Sequence, residues 1–301
     1  MTKEIKINLK GSLEDVNTPS YFNGYLEDRD TIFKIDLSEI SFVKPSGLSI
    51  LYNIVRWLED NENYIEFILP DLNNNNHKES PIRYLDDSKF FDKTIGYKVF
   101  DNSHLRETTL ELTNISISQS NEWFLRTFNP WIAKHIGCNP NRLSNLEMLL
   151  QELINNTKDH STKDFSYIYA QYYPKNREIE ISIGDIGVGI PNNVKQKVPH
   201  LQYDWQRIAE AMNRGFTTKT NAHNMGEGLY ILKKYILDQK LGRVSIISGT
   251  GHYVLYPSGR EFSEVLNYNY PGTYISIVIN IETIGNILTD EYIDGGVELE
   301  W

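Results

Sequence analysis

Apolar and polar residues alternate over residues 4–10, where Ile5, Ile7 and Leu9 are set apart by polar neighbours. That period of two predicts a half-buried strand. Residues 31–37, with Ile32, Phe33, Ile35 and Leu37, predict a second strand. The period then changes: over residues 46–60, Leu48, Leu51, Ile54, Val55 and Leu58 recur at helical spacing. A third strand over residues 64–69 stops at Pro70, and the polar stretch 73–79 reads as a loop. Ser80, with Pro81 in the first turn, opens a predicted helix over residues 80–91.

Residues 101–106 read as a linker, residues 109–117 as a strand and residues 122–136 as an aromatic-rich helix broken by the Pro140 segment. Over residues 142–161, Leu146, Leu149, Leu150, Leu153, Ile154 and Thr157 recur at three and four, which predicts an amphipathic helix. Glu152, Asn156 and His160 recur at four and share one row. At about 100° per residue that row lies beside the Leu149/Leu153 stripe, at the edge of the core where a cleft would be lined. The strand over residues 178–184 (Ile179, Ile181, Ile183) runs directly into Asp185-Ile186-Gly187-Val188-Gly189-Ile190-Pro191. A second glycine motif, Gly226-Glu227-Gly228-Leu229, precedes a predicted helix over residues 230–237. Between the motifs, residues 192–223 include Arg214-Gly215-Phe216-Thr217-Thr218-Lys219, which reads as a lid or as an ordinary loop. The acidic residues 290–301 read as a surface tail.

Composition narrows the partners. A formal net charge of -10 disfavours a general nucleic-acid or anionic-membrane surface. No apolar run is long enough to span a bilayer and no secretory signal opens the chain, so a cytoplasmic protein is expected. The single cysteine, Cys138, rules out an internal disulfide and a cysteine-based zinc site, and reads as a helix-end residue. At 301 residues, two domains are expected.

The row on the helix suits metal–nucleotide chemistry. A carboxamide oxygen is a hard neutral ligand for Mg²⁺, which takes few protein groups and completes its shell with phosphate oxygens and water. A carboxylate one turn earlier can accept the proton of an attacking hydroxyl or water. The closely spaced glycines after a strand could suggest a dinucleotide loop, but the acid precedes them and Pro191 disfavours an immediate helix. No P-loop pattern occurs. A strand-end carboxylate can instead accept the exocyclic amine of adenine, with glycines letting backbone approach the base. Glycines just before a helix present N–H groups to an anion.

The order E-x-x-x-N, D-x-G-x-G-I-P, lid and G-x-G-L resembles the GHKL superfamily of Bergerat-fold ATP-binding domains, with the anti-sigma serine kinases nearest. The resemblance spans about residues 109–281. It implies that Glu152 is the general base, Asn156 the Mg²⁺ ligand and Asp185 the adenine reader beside Gly187 and Gly189. It further implies that Gly226, Gly228 and Leu229 form the phosphate motif, that Thr273 holds adenine through water, and that Thr218 and Lys219 belong to the lid. His160 takes no assigned role. Residues 32–51, from the strand ending in Asp36-Leu37-Ser38 to Ser46-Gly47-Leu48, resemble a STAS domain, the anti-sigma-factor-antagonist fold. Proline stands at the position that receives phosphate in those antagonists, and Ser46 reads as a helix N-cap.

The expected fold is α/β (α+β) with two domains: a STAS-like unit over residues 1–100 and a Bergerat-fold sandwich over residues 108–284, then a tail over 285–301. The expected cofactors are ATP and Mg²⁺. The expected activity is a regulatory switch, an anti-sigma-type serine/threonine kinase acting on a STAS or sigma-like protein. An ATP-hydrolysing switch, possible also as a homodimer, and a non-catalytic nucleotide-holding module are the alternatives. Neither nucleic acid nor membrane is expected as a partner.

Overall fold

The computed structural model describes residues 3–72, 80–160, 165–216 and 228–289. Three parallel strands, β1 (Lys3–Leu13), β2 (Thr31–Val43) and β3 (Tyr64–Ile68), form one sheet in that order. Parallel neighbours need a crossover, and helix α1 (Pro45–Asp60) supplies it between β2 and β3. Lys44, in extended conformation, occupies the N-cap of α1. Ser46 therefore lies inside the first turn, 3% exposed, and is not the cap expected of it. Proline suits the first helical position because its φ is pre-set and its missing N–H is not needed there, so the helix starts at Pro45.

The single helix expected over residues 80–91 is two, α2 (Pro81–Asp87) and α3 (Phe90–Ile95). Ser80 does cap α2, its Oγ accepting the Arg83 N–H at 3.1 Å. The break falls at Lys89, which is left-handed with φ 68°. The break sets α3 at a new angle to α2, and the Phe90 and Phe91 rings that open α3 are buried edge-on against Phe67, at 5.6 and 5.5 Å between centroids.

The second sheet is antiparallel, ordered β4-β5-β6-β8-β7. Its strands are β4 (Thr109–Ser116), β5 (Phe165–Tyr173), β6 (Glu178–Asp185), β7 (Gly242–Leu255) and β8 (Glu261–Asn280). Between β4 and β5 come α4 (Ile117–Trp123), a π-helical turn (Phe124–Phe128), α5 (Asn129–Ile136) and α6 (Ser144–His160). After β6 come α7 (Gly189–Lys197), α8 (Asp204–Ala211) and α9 (Gly228–Leu237). Two of these helices occupy part of the stretch read as lid or loop, and α7 opens at Gly189 despite Pro191. Pro191 falls in the first turn of α7, where a missing N–H does no harm. Residues 285–289, expected as the start of a tail, are packed: Ile287 is buried and its carbonyl accepts the Asn145 amide at 2.9 Å.

The two faces of this sheet are covered differently. Ile168, Ala170, Ile179, Ile181, Ile183, Ile275 and Ile277 meet Leu149, Leu150 and Leu153 of α6 and Leu232 of α9 in one apolar cluster. Residues of the opposite parity, Tyr167, Tyr169 and Tyr274, join Leu48, Leu51 and Val55 of α1 in a second cluster shared by both halves of the chain. Tyrosine hydroxyls tie the halves further. Tyr52 donates to Asn114 Oδ1 at 3.0 Å, and Tyr268 to the Val16 carbonyl at 2.8 Å. Glu180 and Ser182 also lie on this covered face and are buried. Among the described residues no helix is long and apolar enough to cross a membrane.

Candidate functional site

Helix α6 buries Leu149, Leu150, Leu153 and Ile154, which leaves Glu152 and Asn156 half-buried at its edge, as their spacing predicts. Gly228, the first residue of α9, lies directly on that row. A Cβ at Gly228 would fall 2.6 Å from Glu152 Cγ and 3.0 Å from Asn156 Nδ2. Only glycine lets the α9 N-terminus come this close to the acid–amide pair. Leu229 follows, partly buried against the core. Gly226, Thr218 and Lys219 lie outside the described residues, as does the side chain of His160.

Asp185 ends β6, paired with Thr273 on β8. By strand alternation it continues the Ile179/Ile181/Ile183 face, the one that α6 and α9 cover. Its side chain is buried at 4% exposure, and its Oδ1 has no hydrogen-bond partner among the described residues. Burial pushes the carboxyl up to about 7, and the Thr273 backbone N–H opposes that rise.

A bulge in β8 builds the wall facing this carboxylate. Ser248 pairs with Thr273 while Gly249 pairs with Tyr270, so Pro271 and Gly272 are extra. Gly272 is left-handed with φ 90°, and a Cβ there would fall 2.8 Å from both Asp185 Oδ1 and the Gly187 nitrogen. Gly189, with φ 75°, is equally confined: a Cβ would fall 2.7 Å from Ser248 Oγ and 2.9 Å from the Gly272 carbonyl. Ser248 ties the wall together. Its Oγ accepts the Ile190 N–H at 3.0 Å, donates to the Gly272 carbonyl at 2.7 Å and lies 3.2 Å from Thr273 Oγ1.

Two groupings therefore stand on the helix-covered side of one sheet: Glu152 and Asn156 against Gly228, and Asp185, Gly187 and Gly189 against Gly272 and Thr273. Beside the second, a cleft of about 270 Å³ opens between the halves of the chain, lined by Leu26 and Trp57 from one and Gly187, Val188, Tyr270 and Gly272 from the other. The sequence does not single out Ser248, Asn53 or Tyr270. Ser248 falls on an ordinary strand, and only the left-handed glycines around it show that its hydroxyl is a tie.

The helix at Gly189 removes one of the two arguments against a dinucleotide loop. The antiparallel partners of β6 replace it, since that loop belongs to a parallel βαβ unit. Among the described residues no cluster of three or more His, Cys, Asp or Glu could hold a metal ion by itself. A cation at Asn156 would need most of its ligands from phosphate and water, which is how Mg²⁺ binds. Neither a known protein-family model nor a curated protein sequence matches this chain.

Proposed function

We propose that this chain binds ATP with Mg²⁺ in a GHKL-type pocket and acts as a regulatory switch. In this reading it transfers the γ-phosphoryl group to a serine or threonine of a STAS or sigma-like protein. The observation that carries the reading is the buried Oδ1 of Asp185, unpartnered among the described residues and facing the glycine wall at Gly272. A buried acceptor without a donor is costly, on the order of 1–3 kcal/mol. An exocyclic amine would supply the missing donor, and donating to the carboxylate also favours its ionised form.

Each remaining residue has a definable task. Gly187 and Gly189 let backbone lie against the base, and Thr273 reaches it through a water. Glu152 accepts the proton of the attacking hydroxyl, and Asn156 offers its amide oxygen to Mg²⁺, whose charge would offset that building on the phosphates. Gly228 brings the α9 N-terminus, with its N–H groups and dipole, over this pair. Gly226, Leu229, Thr218 and Lys219 are assigned to phosphates and lid by resemblance.

The packing of α1 on the sheet of the same chain favours a second reading, in which ATP hydrolysis changes that packing and no protein is phosphorylated. One assay separates them: wild type, Asp185→Ala and Glu152→Ala with Mg²⁺ and γ-labelled ATP, with and without a STAS-type protein. Asp185→Ala should weaken ATP binding at least about ten-fold. Glu152→Ala should keep binding and lose turnover. Labelled protein selects the kinase and free phosphate alone the hydrolase. ATP affinity unchanged by Asp185→Ala would overturn both.

A further inference from the structure

Helix α1 presents an apolar face to the second sheet, with Leu48, Leu51 and Val55 in the shared cluster, yet Asn53 is buried on it at 0% exposure. An amide in such a place costs free energy unless its polar atoms are used. Its Nδ2 donates to the backbone carbonyl of Asp185 at 3.1 Å and to Tyr270 Oη at 2.5 Å. Its Oδ1 has no partner among the described residues. The amide is thus only half satisfied, and both of its bonds serve the strand end and the bulge that frame the Asp185 carboxylate.

The contacts continue on the same side. Tyr270 Oη lies 3.4 Å from Tyr167 Oη. The Tyr167 ring occupies the space a side chain at Gly184 would need, one residue before Asp185. Tyr52, beside Asn53 on α1, meets that ring edge-on at 5.8 Å. The Gly184–Asp185 backbone is therefore held from α1's side by Asn53 and Tyr167, while the carboxylate projects to the opposite face.

We infer that Asn53 is a positioning residue for base recognition, so that the N-terminal part of the chain completes the nucleotide site in cis. The inference rests on the nucleotide reading of Asp185. Asn53 touches no ligand itself. Its amide fixes the carbonyl of Asp185, which sets where the carboxylate meets an exocyclic amine. Any event that lifts α1 from the sheet removes that constraint, and bound nucleotide must favour the docked state by the same factor.

The test compares ATP with inosine triphosphate, which has a carbonyl in place of the amine, in Mg²⁺ on the full chain. Asn53→Leu keeps a comparable volume and removes the donor, and Tyr270→Phe removes the hydroxyl to which the amide also donates. Asn53→Leu should weaken ATP binding about ten-fold and leave inosine triphosphate within about two-fold, collapsing the preference between them. Tyr270→Phe should lower the preference about three-fold, and it serves alone if Asn53→Leu does not fold. A structural role would weaken both nucleotides together. That result, or an unchanged preference in both variants, overturns the inference while leaving the nucleotide reading intact. A wild type that binds neither nucleotide overturns both, and one that binds the two equally removes base reading by Asp185 and this inference with it.

Discussion

Asp185→Asn should make the ligand-free protein more stable in mildly alkaline solution and, on the proposed nucleotide reading, weaken ATP binding. Burial raises the Asp185 carboxyl from 3.8 to about 7. Each pKa unit is worth about 1.4 kcal/mol, so the ionised group costs the fold on the order of 4 kcal/mol. The sign follows from where the proton sits. Between the unfolded and folded pKa values the folded chain keeps a proton that the unfolded chain has released, so stability falls as pH rises from about 4 to about 7 and is then level. Asparagine has nearly the same shape and does not ionise. Its amide brings a donor that can lack a partner, at about 1–3 kcal/mol. The net gain at about pH 8 is therefore expected to be roughly 1–3 kcal/mol, and at about pH 4 the variant should be no more stable than wild type. Urea denaturation of both proteins across this range gives the difference directly. A difference that does not change with pH would refute the reasoning, because it would mean the carboxyl titrates as if solvated.

Two further substitutions test the surroundings of the site. Gly228→Ala places a Cβ 2.6 Å from Glu152 Cγ, so α9 or Glu152 must give way by roughly 1 Å from ordinary contact. Turnover should fall about 100-fold, with a loss of about 1–3 kcal/mol in stability, measured by phosphate release and urea denaturation. Glu180→Gln tests the covered face of the sheet, where burial pushes that carboxyl up to about 7 with the Asp15 charge adding to the rise. The ionised group costs on the order of 3 kcal/mol and the new amide donor about 1–3 kcal/mol, so the variant should be more stable by roughly 0–2 kcal/mol at about pH 8 and no more stable than wild type at about pH 4, again by urea denaturation. A flat pH dependence there would mean water reaches Glu180.

Much of the fold is legible from periodicity, and its failures share a cause. The α6 row, the β6 strand and the α1 stripe follow from spacing because in each the apolar residues keep one period while polar residues fill the other positions. Residues 165–173 carry no readable period: FSYIYAQYY is apolar or aromatic at nearly every position, since one parity faces α6 and the other faces the N-terminal half. A strand covered on both faces has no alternation to read. The reverse error affects β6, whose polar positions look solvent-facing but include buried Glu180 and Ser182. The break at Lys89 was hidden because lysine is an unusual residue for a left-handed position.

The site divides along the same line. Glu152, Asn156, Asp185 and the glycines could be marked because their chemistry is local: a helical row, or a strand end followed by glycines. What holds them could not. Asn53 is 132 residues from Asp185 and looks like one more polar residue on an amphipathic helix. Tyr270 is one tyrosine among 19. Their meaning depends on α1 resting on the far face of the sheet, which no single segment encodes. A buried carboxyl whose neutral form the fold prefers is poorly explained as a stabilising device, because the apolar alternative is cheaper. On the proposed reading it is a group kept for a ligand's donor, with its backbone clamped so that the acceptor is held in one place.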